Sequence, residues 1–279
     1  MTGPHRLLAA RGVLPKKHMG QNFLADPSTA EMIVRRARPA DAVVLEIGAG
    51  VGALTVFAAR EARFVYAVEK DRDLIEVLQG VAAETGAENV FVINRSIFDV
   101  DLEAIARKEQ SRLLVLGNLP YNISSQVLIS LINTRRIIER AVLMLQTEMA
   151  QRLYARPGTK AYGRLSVMTQ YCSSVSRVAR VRANQFYPRP KVDSEVVEIC
   201  FQPPVHVAAD EAVLSAVVKA AFGQRRKTLK NALGGSELGI DGDQIVRALQ
   251  MAAIDGTRRA ETLSVGEFVG LANVFQNIR

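Results

Sequence analysis

The segment Gly117-Asn118-Leu119-Pro120-Tyr121 combines a tight turn with a side-chain amide, a stiffened carbonyl and an aromatic ring. It follows the apolar run Leu113–Leu116, a strand whose carboxyl end should meet substrate in an open α/β sheet. Such a group could hold an exocyclic amine, a poor nucleophile because its lone pair is delocalised into the ring. Two acceptors aimed at the amine hydrogens would favour pyramidalisation and stabilise the positive charge that develops on attack. The Asn118 side-chain oxygen and a main-chain carbonyl, expected to be that of Leu119, could supply them. Pro120 biases Leu119 towards extended geometry, and Tyr121 offers a stacking face worth roughly 1–3 kcal/mol per base. No general base is required, because the proton leaves after transfer. The plain alternative is a turn closed by a buried tyrosine. This chemistry alone does not distinguish amines of DNA or RNA from protein amides.

A second constellation is Glu46-Ile47-Gly48-Ala49-Gly50-Val51-Gly52, at the end of the strand run Val43–Ile47. Glycines there let the backbone approach a ligand with no Cβ in the way. The spacing G-x-G-x-G differs from the G-x-G-x-x-G that cradles a pyrophosphate, and so favours S-adenosylmethionine over a dinucleotide. The next strand ends in Val68-Glu69-Lys70, placing an acid about 20 residues after Gly48, where it can accept both ribose hydroxyls of an adenosine. Glu46, Gly48, Gly50, Glu69 and Lys70 are therefore expected around the donor. Glu46 either faces the donor's methionine end or orders the loop.

Short apolar runs alternate with helical patterns, the signature of an α/β domain with a mainly parallel sheet. Strands are expected at Val43–Ile47, Phe64–Val68, Val90–Ile93, Leu113–Leu116, Ala141–Leu145, Val175–Val181 and Val192–Phe201, the last antiparallel at the edge. Helices are expected around Leu54–Arg60, from an Asp71 N-cap to Glu84, and at Glu103–Lys108, Ser125–Asn133, Thr147–Leu153 and Leu165–Ser173. Beyond Gln202-Pro203-Pro204 the chain reads as helices at Glu211–Phe222, Arg225–Leu233, Asp243–Leu249 and Val265–Phe275. The expected division is a basic segment 1–25, a catalytic domain 26–203 and a helical RNA-binding domain 204–279.

The 279 residues carry a formal charge of +8, with 48% hydrophobic and 23% charged residues, as in a globular chain with a polyanionic partner. The positive charge is concentrated. No acid precedes Asp26, none lies between Glu148 and Asp193, and none between Glu211 and Glu237. These stretches contain Lys16, Lys17, Arg152, Lys191, Arg225, Arg226 and Lys227, the candidates for phosphate contact. Cys172 and Cys200, with only His5, His18 and His206 elsewhere, form no metal pattern and read as reduced core residues. No run reaches transmembrane length, and the N-terminus lacks a secretory apolar core. A cytoplasmic location is expected, with an organelle transit peptide as the alternative.

In these residues the chain resembles the ribosomal RNA adenine N6-dimethyltransferases, particularly the KsgA type that acts on small-subunit rRNA. The resemblance runs from about Leu14 to the C-terminus. It rests on Pro15-Lys16-Lys17 with Gly20-Gln21-Asn22-Phe23-Leu24, the Glu46–Gly52 run, Asn118–Tyr121, and Gln146-Thr147-Glu148 with Arg152. It continues through Lys160–Ser166, Phe186–Ser194, Phe222–Leu229 and Arg259–Ser264. It implies a class I, Rossmann-like methyltransferase sheet with a small C-terminal helical domain, and S-adenosyl-L-methionine as donor. The implied substrate is two neighbouring adenosines in the 3′-terminal hairpin loop of small-subunit rRNA; the expected partner is that rRNA, free or in the immature small ribosomal subunit, and a monomer without metal or membrane is expected. It carries Gln21, Asn22 and Leu24 over as donor-binding residues beside Gly48, Glu69 and Asn118, and makes Phe186 the other wall of the base pocket. The chain departs from the family where an acid usually accepts a bond from the donor's adenine amine: alignment on Val100-Asp101-Leu102 puts Ser96 there. A hydroxyl accepts that bond more weakly than a carboxylate, so weaker donor binding is expected, and Asp99 could substitute only if the loop were rearranged. Two other readings are an RNA-binding assembly factor and a small-molecule methyltransferase. The complete Asn118–Tyr121 and Gly48–Gly52 motifs argue against the first, and the basic stretches against the second.

Overall fold

The computed structural model describes residues 3–236 and 238–278. Seven strands form one sheet: β1 Val43–Ile47, β2 Phe64–Val68, β3 Val90–Ile93, β4 Leu113–Asn118, β5 Ile138–Gln146, β6 Ser173–Val181 and β7 Ser194–Phe201. Their order is β3-β2-β1-β4-β5-β7-β6. The pairs from β3 to β5 are parallel, and β7 runs antiparallel to β5. All five residues of β1 are buried, as expected of a central strand covered on both faces. The antiparallel strand expected at the edge is thus interior. The edge belongs to β6, whose residues between its buried ends are all exposed or half-buried, as suits that place.

Two N-terminal helices were not anticipated. Helix α1 (Pro4–Ala9) buries Leu7 and Leu8 in the core. Helix α2 (Pro27–Ala37) starts at an Asp26 N-cap, whose carboxylate accepts the Ser28 amide at 3.0 Å, with Pro27 in the first turn. It buries Ala30, Ile33, Val34 and Ala37, one stripe at helical spacing. Helices α3 (Thr55–Ala58), α4 (Arg72–Glu84), α5 (Leu102–Glu109) and α6 (Ser124–Asn133) alternate with the strands, and Asp71 caps α4 as expected. Helix α7 (Thr147–Leu153) leaves β5, and α8 (Arg164–Cys172) leads into β6. A two-residue ribbon pairs Phe23–Leu24 antiparallel with Phe186–Tyr187.

The chain forms two compact units. One holds residues 1–150 and 175–201, and the other holds 151–174 and 202–279. This corrects the division at 203/204: the segment 151–174 belongs with the helical unit, and the N-terminal 25 residues are part of the sheet unit. The helical unit also contains α9 (Glu211–Gly223), α10 (Leu229–Gly234), α11 (Gly242–Met251) and α12 (Val265–Ile278). Its core joins Leu214, Val217 and Val218 of α9 to Phe268, Leu271 and Phe275 of α12. The Phe222 ring lies between those of Tyr162 and Phe268, at 6.2 and 5.7 Å. Helix α10 starts four residues later than expected. Its first amides, of Leu229 and Lys230, bond the carbonyls of Arg258 and Gly256, so Arg225, Arg226 and Lys227 stand in the preceding turn.

Candidate active site

The carboxyl ends of β1, β2 and β4 open into a cavity of about 250 Å³ in the sheet unit. Lining it are Gln21, Asn22, Leu24, Glu46, Gly48, Gly50, Glu69, Lys70, Ser96 and Asn118–Tyr121, residues drawn together from five separated stretches. Phe186 is the exception. It pairs with Leu24 in the ribbon, is 5% exposed and packs into the hydrophobic core, outside the cavity lining. Its ring packs among the core residues of the sheet unit.

Gly48 and Gly50 have φ of 70° and 58°, a region that disfavours side chains, and a Cβ on Gly50 would lie 3.1 Å from the Phe23 ring. The amides of Gly48 and Ala49 both donate to the Val68 carbonyl. Glu69, 8% exposed, secures the same run: its carboxylate accepts the Gly50 amide at 2.8 Å on one oxygen and the Asp71 amide at 2.8 Å on the other. Burial raises its pKa, against the pull of these two amides. A carboxylate has about four acceptor positions, so roughly half remain for a ligand. Glu46, 2% exposed, accepts the Thr55 hydroxyl at 2.5 Å and so ties β1 to α3. Burial, with the nearby Glu69 charge, pushes its carboxyl up to about 8.

The N-terminal wall is clamped by a group that sequence reading missed. Asp71, read only as a helix cap, is 2% exposed and accepts Lys16 Nζ at 2.6 Å and Gln21 Nε2 at 2.6 Å. Burial opposes its ionisation, but these bonds outweigh burial and hold its carboxyl below the usual range. Gln21 Oε1 accepts the Lys16 amide at 2.7 Å. Both ends of the Gln21 amide are thus engaged within the protein, although the side chain lines the cavity. Lys16 also reaches Asp73 at 2.7 Å, which corrects its expected role: its ammonium neutralises two carboxylates and is not a free phosphate contact. The partners lie some 50 residues apart in sequence, with no local pattern to link them.

At the other end, Asn118 Nδ2 donates to the Asn22 carbonyl at 2.7 Å. That bond fixes the side chain, and no donor among the described residues reaches its Oδ1. The Pro120 carbonyl is taken by the Ile123 amide and the Ser124 hydroxyl, at 3.2 and 2.9 Å. The Leu119 amide bonds the Met144 carbonyl, while the Leu119 carbonyl has no partner among the described residues. Tyr121 OH lies 3.2 Å from Ser194 Oγ, and burial raises its pKa. Ser96 lines the cavity, and its hydroxyl accepts the Phe98 amide at 3.4 Å. Asp99 is exposed and outside the lining.

The basic candidates divide. Lys17, Lys191, Arg226 and Lys227 are exposed. Arg225, also exposed, donates to the carbonyls of Lys160 and Tyr162 at 2.9 and 3.4 Å and so braces the 160–162 loop. Arg152 sits in the last turn of α7. Among the described residues no three potential metal ligands gather, and no helix is long and apolar enough to cross a membrane.

The strand order, the glycine run after β1, the acid after β2 and the cavity above them define a class I methyltransferase that takes S-adenosylmethionine. Residues 14–277 match the family described as ribosomal RNA adenine dimethylase. The chain is 48% identical to ribosomal RNA small subunit methyltransferase A of Desulforapulum autotrophicum, across 98% of this chain and 96% of that protein. With the enzyme of the same name from Moorella thermoacetica it shares 42% identity, covering 97% and 96%. Its fold is that of a dimethyladenosine transferase from Plasmodium falciparum, at TM-score 0.74 and 23% identity over 89% of this chain and 95% of that one. The 23S rRNA methyltransferase ErmE gives TM-score 0.67 at 25% identity, covering 91% and 99%. The chain belongs to the ribosomal RNA adenine dimethylase family and is an S-adenosylmethionine-dependent rRNA adenine dimethyltransferase.

Proposed function

We propose that the chain dimethylates N6 of two adjacent adenosines in the 3′-terminal hairpin loop of small-subunit rRNA, acting in the cytoplasm as a monomer on the immature small subunit. The small-subunit assignment draws on the relatives named above, at 48% and 42% identity over nearly their whole length. The observation that carries the chemistry is the pair of open acceptors at the end of β4, Asn118 Oδ1 and the Leu119 carbonyl, in a cavity that also holds the glycine run. S-adenosylmethionine, when bound, supplies an electrophilic methyl group, and the reaction needs no metal.

The residues of the chain divide the remaining work. The unused acceptor positions of Glu69 take ribose hydroxyls, and Gly48 and Gly50 allow backbone approach. Asn22, Leu24 and Lys70 complete the wall, and Ser96 accepts from the adenine amine. Gln21 contributes by holding the N-terminal wall in place. Asn118 and Leu119 receive the two hydrogens of the target amine and stabilise its developing charge, and Tyr121 stacks on the base. Pro120 fixes the turn that aims them. A target adenosine must leave its stack to reach this cavity, while Lys17, Arg152, Lys191, Arg226 and Lys227 hold phosphates.

Asn118→Ala tests this reading. Losing one preorganised group at a site of developing charge costs about 10²–10³-fold in turnover. Methyl transfer to small-subunit rRNA should fall by that order, while subunit binding persists. Equal loss of binding and transfer would make the tetrapeptide structural.

A further inference from the structure

A second concentration of charge lies in the sheet unit, away from the cavity. Arg35, Arg36, Arg38 and Arg177 line a cleft of about 610 Å³ with Ser176 and a single acid, Glu198. The Glu198 carboxylate pairs with Arg38 at 2.9 Å and lies 3.9 Å from Arg140 Nε. Arg35, Arg36 and Arg177 are exposed and have neither an ion pair nor a side-chain hydrogen bond to the described residues. The contrast with Arg180 on the same strand is direct, because that side chain is committed to Asp193 at 2.9 Å.

Two ordinary reasons for arginines here are already met by other groups. Cations favour a helix C-terminus because its last carbonyls lack partners. At the end of α2, however, Arg140 Nη2 donates to the carbonyls of Ala37 and Arg38 at 2.7 and 2.9 Å, and the Arg38 amide bonds back to Arg35 and Val34. Charge on an edge strand deters pairing with another chain, but Arg180 already charges β6. The backbone at the cleft floor is held by Arg140, with Arg38 in the left-handed region at φ 49°. The arginines therefore stand on a fixed base.

Position adds the functional sense. Helix α2 ends just before β1 begins, and the glycine run follows the other end of β1. The α2 arginines thus stand towards the amino end of β1, and Ser176, Arg177 and Glu198 lie on β6 and β7, which the sheet order sets three or four strands from β1; none of the cleft residues lines the cavity. Guanidinium groups are suited to phosphate oxygens, and a polyanion contacted at two separate sites is oriented as well as held.

We propose that Arg35, Arg36, Arg38 and Arg177 form a second phosphate-binding cleft that grips RNA of the small subunit at a distance from the methylated bases. The proposal rests on small-subunit rRNA being the substrate. The triple variant R35A/R36A/R177A leaves the cavity and the Arg38–Glu198 pair untouched. Its affinity for small-subunit particles and for protein-free small-subunit rRNA, measured across a salt series, should fall at low salt, and the logarithmic salt slope should become shallower by about 2–3. Donor Kd and kcat at saturating subunit should stay as in wild type while KM rises. R35K/R36K/R177K should keep most of the slope, since charge is retained. An unchanged slope in the alanine variant would overturn the proposal, as would an equal loss in the lysine variant. Weakened binding to particles with unchanged binding to protein-free rRNA would also overturn it, pointing instead to an acidic protein surface. If the wild type methylates no subunit, the functional reading fails, and the salt slopes still decide the cleft.

Discussion

The two ends of the cavity are finished differently. At the donor end nearly every polar group already has a protein partner: Glu69 holds Gly50 and Asp71, Asp71 holds Lys16 and Gln21, and Glu46 holds Thr55. At the amine end two acceptors are left open, while the donors and carbonyls beside them are used to fix the turn. On the proposed reading, a bound nucleoside meets a preformed wall at the first end. On the same reading, the open acceptors of the second end take the hydrogens of an incoming amine. Open acceptors aimed into a cavity suit a ligand that supplies hydrogens, and each hydrogen bond so formed contributes about 0.5–1.5 kcal/mol.

The contrast is broken most directly at Glu69. Glu69→Gln keeps the shape but replaces charge-assisted bonds with neutral ones, and bonds to charged groups contribute about 1.5–3 kcal/mol. Donor Kd from calorimetry should rise about 10–100-fold, with maximal transfer at saturating donor much less affected. A fall in the maximal rate with Kd unchanged would place Glu69 at the amine end instead.

Glu46 tests whether the donor wall is held by a neutral group. Its folded-state pKa of about 8 stands above the ordinary 4.5. From the lower value to the upper one, the folded chain keeps a proton that the unfolded chain has lost. Its contribution to stability is therefore complete below about 4.5 and declines as pH rises to about 8. Glu46→Gln should flatten this part of the stability profile, as read from denaturant midpoints at pH 6 and 9. A profile with the same slope in the variant would mean that Glu46 ionises in the folded protein as it does in the unfolded one.

The smallest effect is expected at Ser96. Ser96→Asp offers a carboxylate where a hydroxyl now lines the cavity at the proposed adenine side, and charge-assisted bonds are roughly twice as strong as neutral ones. Donor Kd should fall several-fold with kcat unchanged. An unchanged Kd would remove Ser96 from the donor contacts.

How legible these regions were in sequence follows from the range of the interactions that build them. The apolar runs of β1 and β4 and the glycine and tetrapeptide turns that end them are local, and periodicity and turn chemistry located them. Asp71 could be read as a helix cap for the same reason. Its larger role depends on Lys16 and Gln21, which only the fold brings to it. Phe186, expected at the base pocket, packs in the hydrophobic core outside the cavity lining, and packing of that kind is not encoded in sequence spacing. The late start of α10 has a similar origin, in amides satisfied by the carbonyls of Gly256 and Arg258. Helix α2 has local signals, Asp26-Pro27 at its start and an apolar stripe behind, although no helix was expected there.

The central claim is that the open acceptors of Asn118 and Leu119 serve adenosine N6 in small-subunit rRNA. Mass spectrometry of that rRNA, after incubation of unmethylated small subunits with the protein and S-adenosylmethionine, tests it most directly. The account predicts two adjacent N6,N6-dimethyladenosines near the 3′ end, formed about 10²–10³-fold more slowly when Asn118→Ala replaces the wild type. No dimethyladenosine in that region, or undiminished product with Asn118→Ala, would contradict it.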